Sequence, residues 1–199
     1  MPRAVDPAVR LRQIDSAVLH LVAHEGIAAV TFRRVAAELG ASTTAVTHFV
    51  PDRETLLDRA FAALRAEVAA AITAAEAHPA PLDRLRALLV GGLPLAGDAA
   101  PWQAYGNFQT AGGRAAWTLA AAADLSRLRG AIDGALAALP LRAPRAAALD
   151  LCATLIDGIS ASVLVEPAAW PAERQRATVD ALLSALVAGP AGKVQHDVV

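Results

Sequence analysis

The sequence predicts an all-α protein of about nine helices, in which an N-terminal three-helix domain containing a helix-turn-helix is joined by one long helix to a second helical domain. Three observations carry this. Apolar residues recur at helical spacing along nearly the whole chain, and no alternating β-rich run interrupts them. Prolines and glycines fall between these periodic stretches. The stretch Thr31 to Leu57 reads as two short helices about a tight turn, followed by the capped start of a third. The expected division is residues 1–52 for the helix-turn-helix domain, 53–78 for the connecting helix, 79–190 for the second domain and 191–199 for a flexible tail.

Taking the elements in order, Asp6-Pro7 is a helix start, with Asp as N-cap and Pro at the first helical position. Leu11, Ile14, Val18, Leu21 and Val22 form the apolar stripe of that helix, and Gly26 is its stop. Arg3, Arg10 and Arg12 lie near its start, either within reach of a phosphate backbone or as a solvated helix end. Thr31 caps the next helix, where Phe32, Val35, Ala36 and Leu39 recur and Gly40 supplies a positive-φ stop. Ser42 caps a short helix with Ala45, Val46, Phe49 and Val50 on one side and polar Thr43, Thr44, Thr47 and His48 on the other, ending by Pro51. Two helices joined this way can place the second in the major groove of DNA.

Asp52 caps a long helix from Arg53 to about His78, ~40 Å at ~1.5 Å per residue. Its buried face is Leu56, Leu57, Ala60, Phe61, Leu64, Val68 and Ile72. Beyond Pro79 and Pro81 the composition shifts toward Ala, Leu and Gly, and helices are expected at about 82–90, 101–111, 114–138, 145–165 and 172–188. Gly112-Gly113 reads as a plain turn or a hinge.

At 199 residues and 55% hydrophobic composition, the chain can bury one substantial core, or a core plus a small module; two parts fit better. The single cysteine, Cys152, excludes an internal disulfide and suits a reducing cytoplasm. No metal or cofactor is expected: His20 and His24 stand four apart without a third ligand. No leader segment stands at the start, and the long apolar stretches are broken by charged residues, Gly or Pro, so no membrane partner is expected. The net charge of -1 argues against a generic polyanion binder. Through Arg53, Arg3, Arg10, Arg12, Arg33, Arg34 and Arg53 oppose Asp6, Asp15, Glu25, Glu38 and Asp52, a net of +1. Affinity for DNA depends on the phosphates neutralised, and a dimer doubles the set.

Thr31, Arg33, Val35-Ala36, Leu39-Gly40-Ala41-Ser42, His48-Phe49-Val50, Arg53-Glu54 and Leu56-Leu57, with Ile14, Ala17, Glu25 and Gly26 upstream, resemble the TetR-type one-component transcriptional regulators over roughly the first third of the chain. The resemblance implies a homodimer on a near-palindromic double-stranded operator, most simply a repressor released by a small apolar or aromatic effector. It assigns DNA contacts to Thr31, Arg33, Arg34, Ser42, Thr43, Thr44, Thr47, His48 and Arg53. Arg33 would reach a base edge or a nearby phosphate, Thr43 and Thr44 would face the groove, and Thr31, Thr47 and Arg53 would hold the backbone. The family places Tyr at the position of Thr47 and Lys at that of Arg53, both on phosphates. Arginine serves a phosphate at least as well, whereas Thr47 keeps only a hydroxyl.

In the second domain, Trp102, Tyr105, Phe108 and Trp117 concentrate in a chain with 4% aromatics. With Asn107, Gln109 and Asp157 they form the candidate effector site, the alternative being rings that fill core space among alanines. Asp157 would cap, pair with an Arg or touch a ligand, a structural hydrogen bond being the favoured role. The last two helices are apolar enough to need a further surface. The resemblance pairs them with their copies in a four-helix bundle, through Leu149, Cys152, Ile156, Ile159 and Val163 with Val179, Leu182, Leu183 and Leu186; packing wholly within one chain is the alternative. No catalytic constellation stands out, so an enzyme is the least favoured reading. A helical small-molecule-binding protein with a degenerate helix-turn-helix is the runner-up.

Overall fold

A computed structural model describes residues 6–95, 100–110 and 114–188. The described residues form α1 (Pro7–Glu25), α2 (Phe32–Glu38), α3 (Thr43–Thr47), α4 (Arg53–Glu76), α5 (Pro81–Gly91), α6 (Ala100–Thr110), α7 (Ala115–Ala137), α8 (Arg145–Val165) and α9 (Ala172–Leu186), with 3-10 turns at Ile27–Ala29 and Pro167–Ala169. An isolated antiparallel bridge joins Leu141 to Val187. The all-α expectation holds, and helix ends agree within a residue or two. Arg3, Gly112-Gly113 and the expected tail lie outside the described residues.

The local signals act as their chemistry dictates. Asp6 Oδ1 accepts the Ala8 N–H at 2.9 Å, Thr31 Oγ1 that of Arg34 at 3.2 Å, Ser42 Oγ that of Ala45 at 3.2 Å and Asp52 Oδ1 that of Thr55 at 2.7 Å; each satisfies a helix-end donor that would otherwise lack a partner. The Thr55 N–H holds the Asp52 carboxyl below its ordinary range. At the end of α2, Gly40 takes φ +59°. Ala41 N–H then reaches Ala36 O at 2.9 Å while Gly40 N–H reaches Ala37 O at 3.1 Å, a Schellman stop that a β-carbon would strain.

Spatially the chain forms two compact units, Met1–Ala70 with Gly97–Leu125, and Ala71–Ala96 with Ser126–Val199. This partition differs from the sequential one, because α6 packs along α1 and the front of α7 joins the same core. In the first unit Ile14, Val18 and Leu21 of α1, Val35, Val46, and Leu56, Phe61 and Leu64 of α4 share one cluster with Tyr105, Phe108 and Trp117. Asp15 is buried beside α4 and receives Arg59 Nη2 at 2.9 Å. Its pKa is raised because burial outweighs the nearby guanidinium.

In the second unit the interior takes Leu85, Leu88 and Leu89 of α5, Ile132 and Leu136 of α7, and inward residues of α8 and α9. Arg86 of α5 forks onto Asp180 of α9 at 2.6 and 2.9 Å. The buried amide of Gln175 donates to Pro94 O at 3.0 Å and Trp170 O at 2.9 Å, supplying partners to two carbonyls outside regular helix.

Candidate nucleic-acid interface and effector elements

The recognition unit is small and well fixed. Among the residues of α3 only Val46 is fully buried, against the first unit's core, so Thr43, Thr44, Thr47 and His48 face outward. Arg33 is exposed on α2. These five are exposed polar side chains, with hydroxyls of a kind suited to phosphate or base acceptors and a guanidinium able to fork onto guanine. Thr31 and Ser42 are exposed, but their hydroxyl oxygens are caps. Thr47 Oγ1 donates to Thr44 O at 3.3 Å, and the His48 ring meets Phe49 edge-on at 5.2 Å. Arg34 is paired with Glu25 across the α1–α2 junction, and His20 Nδ1 lies 3.0 Å from Glu38.

Arg53 is the departure. Its Nε donates to Val30 O at 2.7 Å and its Nη2 to Ile27 O at 2.6 Å. The guanidinium expected to hold phosphate therefore grips the backbone that leads into α2.

The expected effector residues divide. Tyr105, Phe108 and Trp117 come together with Phe61, at centroid distances of 4.8 Å for Phe61–Phe108 and 5.0 Å for Phe108–Trp117. All three are buried, so these rings pack into the core of the first unit. The packing is that of large rings occupying volume among alanine-rich helices. Trp102 and Gln109 are half-buried on α6. Asn107 Nδ2 donates to Val22 O at 2.7 Å, tying α6 to the last turn of α1. Asp157 is exposed on α8, in the second unit.

Ion pairs that sequence periodicity gives no sign of surround the aromatic cluster. Arg65 forks onto Asp124 at 2.6 and 2.8 Å. The Tyr105 hydroxyl donates to the same carboxylate at 3.3 Å, and burial beside that anion pushes its pKa up. Arg114 pairs with Asp58 and with Glu54, the latter at 2.6 Å. The Trp117 Nε1–H donates to Asp58 at 2.8 Å.

Most of the expected dimer residues face their own core. Cys152, Ile156, Ile159, Val163, Val179, Leu183 and Leu186 are buried within their own chain, and Leu149 and Leu182 are half-buried. Burial pushes the Cys152 thiol up to about 11. The bulky branched stripe of α8 is core, because it removes the most apolar surface from water. The exposed stripe is Ala147, Leu151, Thr154, Gly158, Ala161 and Val165, at steps of four and three residues, with Ala177, Ala181 and Ala185 exposed on α9. Leu164 and Val165 are 62% and 79% exposed. By length and composition α8 is apolar enough to cross a membrane, contrary to the expectation that every long apolar stretch is broken before it could span a bilayer.

A capped helix-turn-helix followed by a long helix and an all-helical second unit is the fold of the TetR-type transcriptional regulators. Solved structures of similar fold include a protein from Saccharomonospora viridis described as a candidate transcriptional regulator, in complex with choline, at 20% identity and TM-score 0.74, covering 92% of this chain and 100% of that one. A TetR transcription regulator from Haloarcula marismortui is similar at 19% identity and TM-score 0.71, covering 91% and 100%. A ketosteroid transcriptional regulator of Mycobacterium tuberculosis is similar at 14% identity and TM-score 0.70, covering 90% and 96%. No family model matches the sequence, and no curated protein matches it.

Proposed function

We propose that this protein is a dimeric, effector-responsive, sequence-specific DNA-binding regulator of transcription, acting as a repressor in the cytoplasm. The observation that carries the reading is the outward face of Arg33, Thr43, Thr44, Thr47 and His48 on a capped helix-turn-helix within a TetR-type fold. Short threonine side chains read thymine methyls and single acceptors, so Arg33 bears most of the direct readout.

The corrected α8–α9 face supplies the dimer contact. Its alanines and glycine allow two helices to approach closely, and self-pairing about a two-fold axis would cover Leu151 and Val165. Two recognition helices would then stand ~34 Å apart, one turn of duplex, on an inverted repeat. Effector release follows if the effector favours a conformer in which that spacing is lost. The effector we infer is neutral and apolar, or aromatic. The buried carboxylate Asp15 and the half-buried Asp124 are held by Arg59 and Arg65, and no acidic side chain is buried among the described residues of the second unit; an unpaired cation would find no counter-charge inside.

One observation favours the second reading, a small-molecule-binding protein that no longer binds DNA: Arg53 holds backbone carbonyls in place of a phosphate. Titration of a duplex enriched from a random pool separates the two. Arg33→Ala lowers specific affinity by about tenfold or more, the order of one forked base contact. Equal binding of the wild type and Arg33→Ala to every duplex refutes the assignment.

A further inference from the structure

Residues 26–30, between α1 and α2, set where the helix-turn-helix lies on α1. Gly26 turns the chain at φ +81°, a 3-10 turn follows, and Thr31 begins the cap of α2 directly after buried Val30. Side chains from distant elements hold the carbonyls on both sides of this connector. Val22 O accepts Gly26 N–H at 3.0 Å and also Asn107 Nδ2 at 2.7 Å. Ile27 O accepts Val30 N–H at 3.2 Å and also Arg53 Nη2 at 2.6 Å, and Val30 O accepts Arg53 Nε at 2.7 Å. The charge-assisted bonds are short, and a planar guanidinium spans two carbonyls three residues apart as an ammonium cannot.

We propose that Arg53 and Asn107 form a two-point clamp that positions the helix-turn-helix for operator binding. Arg53 is then a positioning residue with no phosphate of its own, and Asn107 makes α6 part of the DNA-reading body. The inference rests on the DNA-binding function proposed above. Its physical basis is rigidity: α2 and α3 are locked together by the Gly40 turn, so a shift of Val30 displaces Arg33, Thr43 and Thr44 together.

The test uses the full chain and a duplex enriched by the wild type, with affinity measured at several salt concentrations for Arg53→Lys, Arg53→Met, Asn107→Leu and the Arg53→Met/Asn107→Leu double variant. Thr110→Ala, which removes a hydroxyl bonded to Gly106 O within α6, is the control. Folding is followed by circular dichroism, and hydrogen exchange reads the Gly26, Ala29 and Val30 amides. Asn107→Leu weakens binding roughly three- to tenfold, the order of one hydrogen bond. Arg53→Lys is as damaging as Arg53→Met, and neither changes the slope of log affinity against log salt, since no phosphate contact is lost. The double variant loses less than the product of the single losses because both residues hold one element. The connector amides exchange faster in each clamp variant.

Wild-type binding by Arg53→Lys, with a slope reduced by about one in Arg53→Met, makes Arg53 a phosphate ligand and overturns the clamp. Wild-type binding by Asn107→Leu overturns it equally. If Arg53→Met does not fold, the lysine and leucine variants decide. A wild type that enriches no duplex defeats the DNA-binding reading, and unchanged exchange at the connector amides then defeats the clamp separately.

Discussion

Phe108→Ala separates a packed aromatic core from an effector pocket. Phe108 is 1% exposed and lies between Phe61, at 4.8 Å, and Trp117, edge-on at 5.0 Å. Truncation removes roughly 100 Å² of buried apolar surface, worth ~2.5 kcal/mol at ~25 cal/mol per Å². A residual cavity of ~50 Å³ adds ~1 kcal/mol at ~24 cal/mol per Å³. The sum is about 3.5 kcal/mol, before any loss from the two ring pairs at ~0.5–1.5 kcal/mol each. The assay is urea unfolding at fixed protomer concentration, because the proposed dimer would make stability concentration-dependent. The account predicts a loss of about 3–5 kcal/mol with an unchanged m-value. A loss below about 1 kcal/mol would mean that the ring borders open space, refuting the core assignment.

Three further outcomes follow from the same geometry. Gly158→Arg yields a folded monomer by light scattering, since a β-carbon at Gly158 meets nothing within 4 Å in its own chain and the charge blocks the α8 face; a persistent dimer contradicts that face. Cys152→Arg, by contrast, unfolds the second unit, because Cys152 is 0% exposed; a native circular dichroism spectrum would refute its place in the core. For Asp180, the Arg86 fork lowers the folded pKa below the ordinary 3.8. Its contribution is present above that ordinary value and lost as pH falls through the lowered one. Asp180→Asn therefore costs under about 1 kcal/mol at neutral pH, as for a largely exposed pair, and the gap between variant and wild type closes as the pH falls below that ordinary value. A gap that widens in acid contradicts the sign.

Local chemistry made much of the fold legible. Asp6-Pro7, Thr31, Ser42, Asp52 and Gly40 announce helix ends because each satisfies or frees backbone groups within four residues of itself. The partner of a side chain is another matter. Arg65 and Asp124 are separated by 59 residues, and Asn107 and Val22 by 85; periodicity carries no sign of such pairs. Helix α8 offers two apolar stripes, and the sequence reading gave the bulky one to the partner. Volume decides the matter: Ile156, Ile159 and Val163 fill their own chain, while Gly158 and Ala161 lie outside. Arg53 shows the same limit at the site, since its family position suggests phosphate while its two nearest acceptors are carbonyls that only the fold brings to it.

The most direct measurement is selection of duplexes from a random pool by the purified full chain, with mass and salt dependence determined on the enriched sequence. The account predicts an inverted repeat with half-site centres about one helical turn apart, bound by two protomers and weakening with salt. A folded, effector-free protein that enriches no sequence at low salt would contradict it.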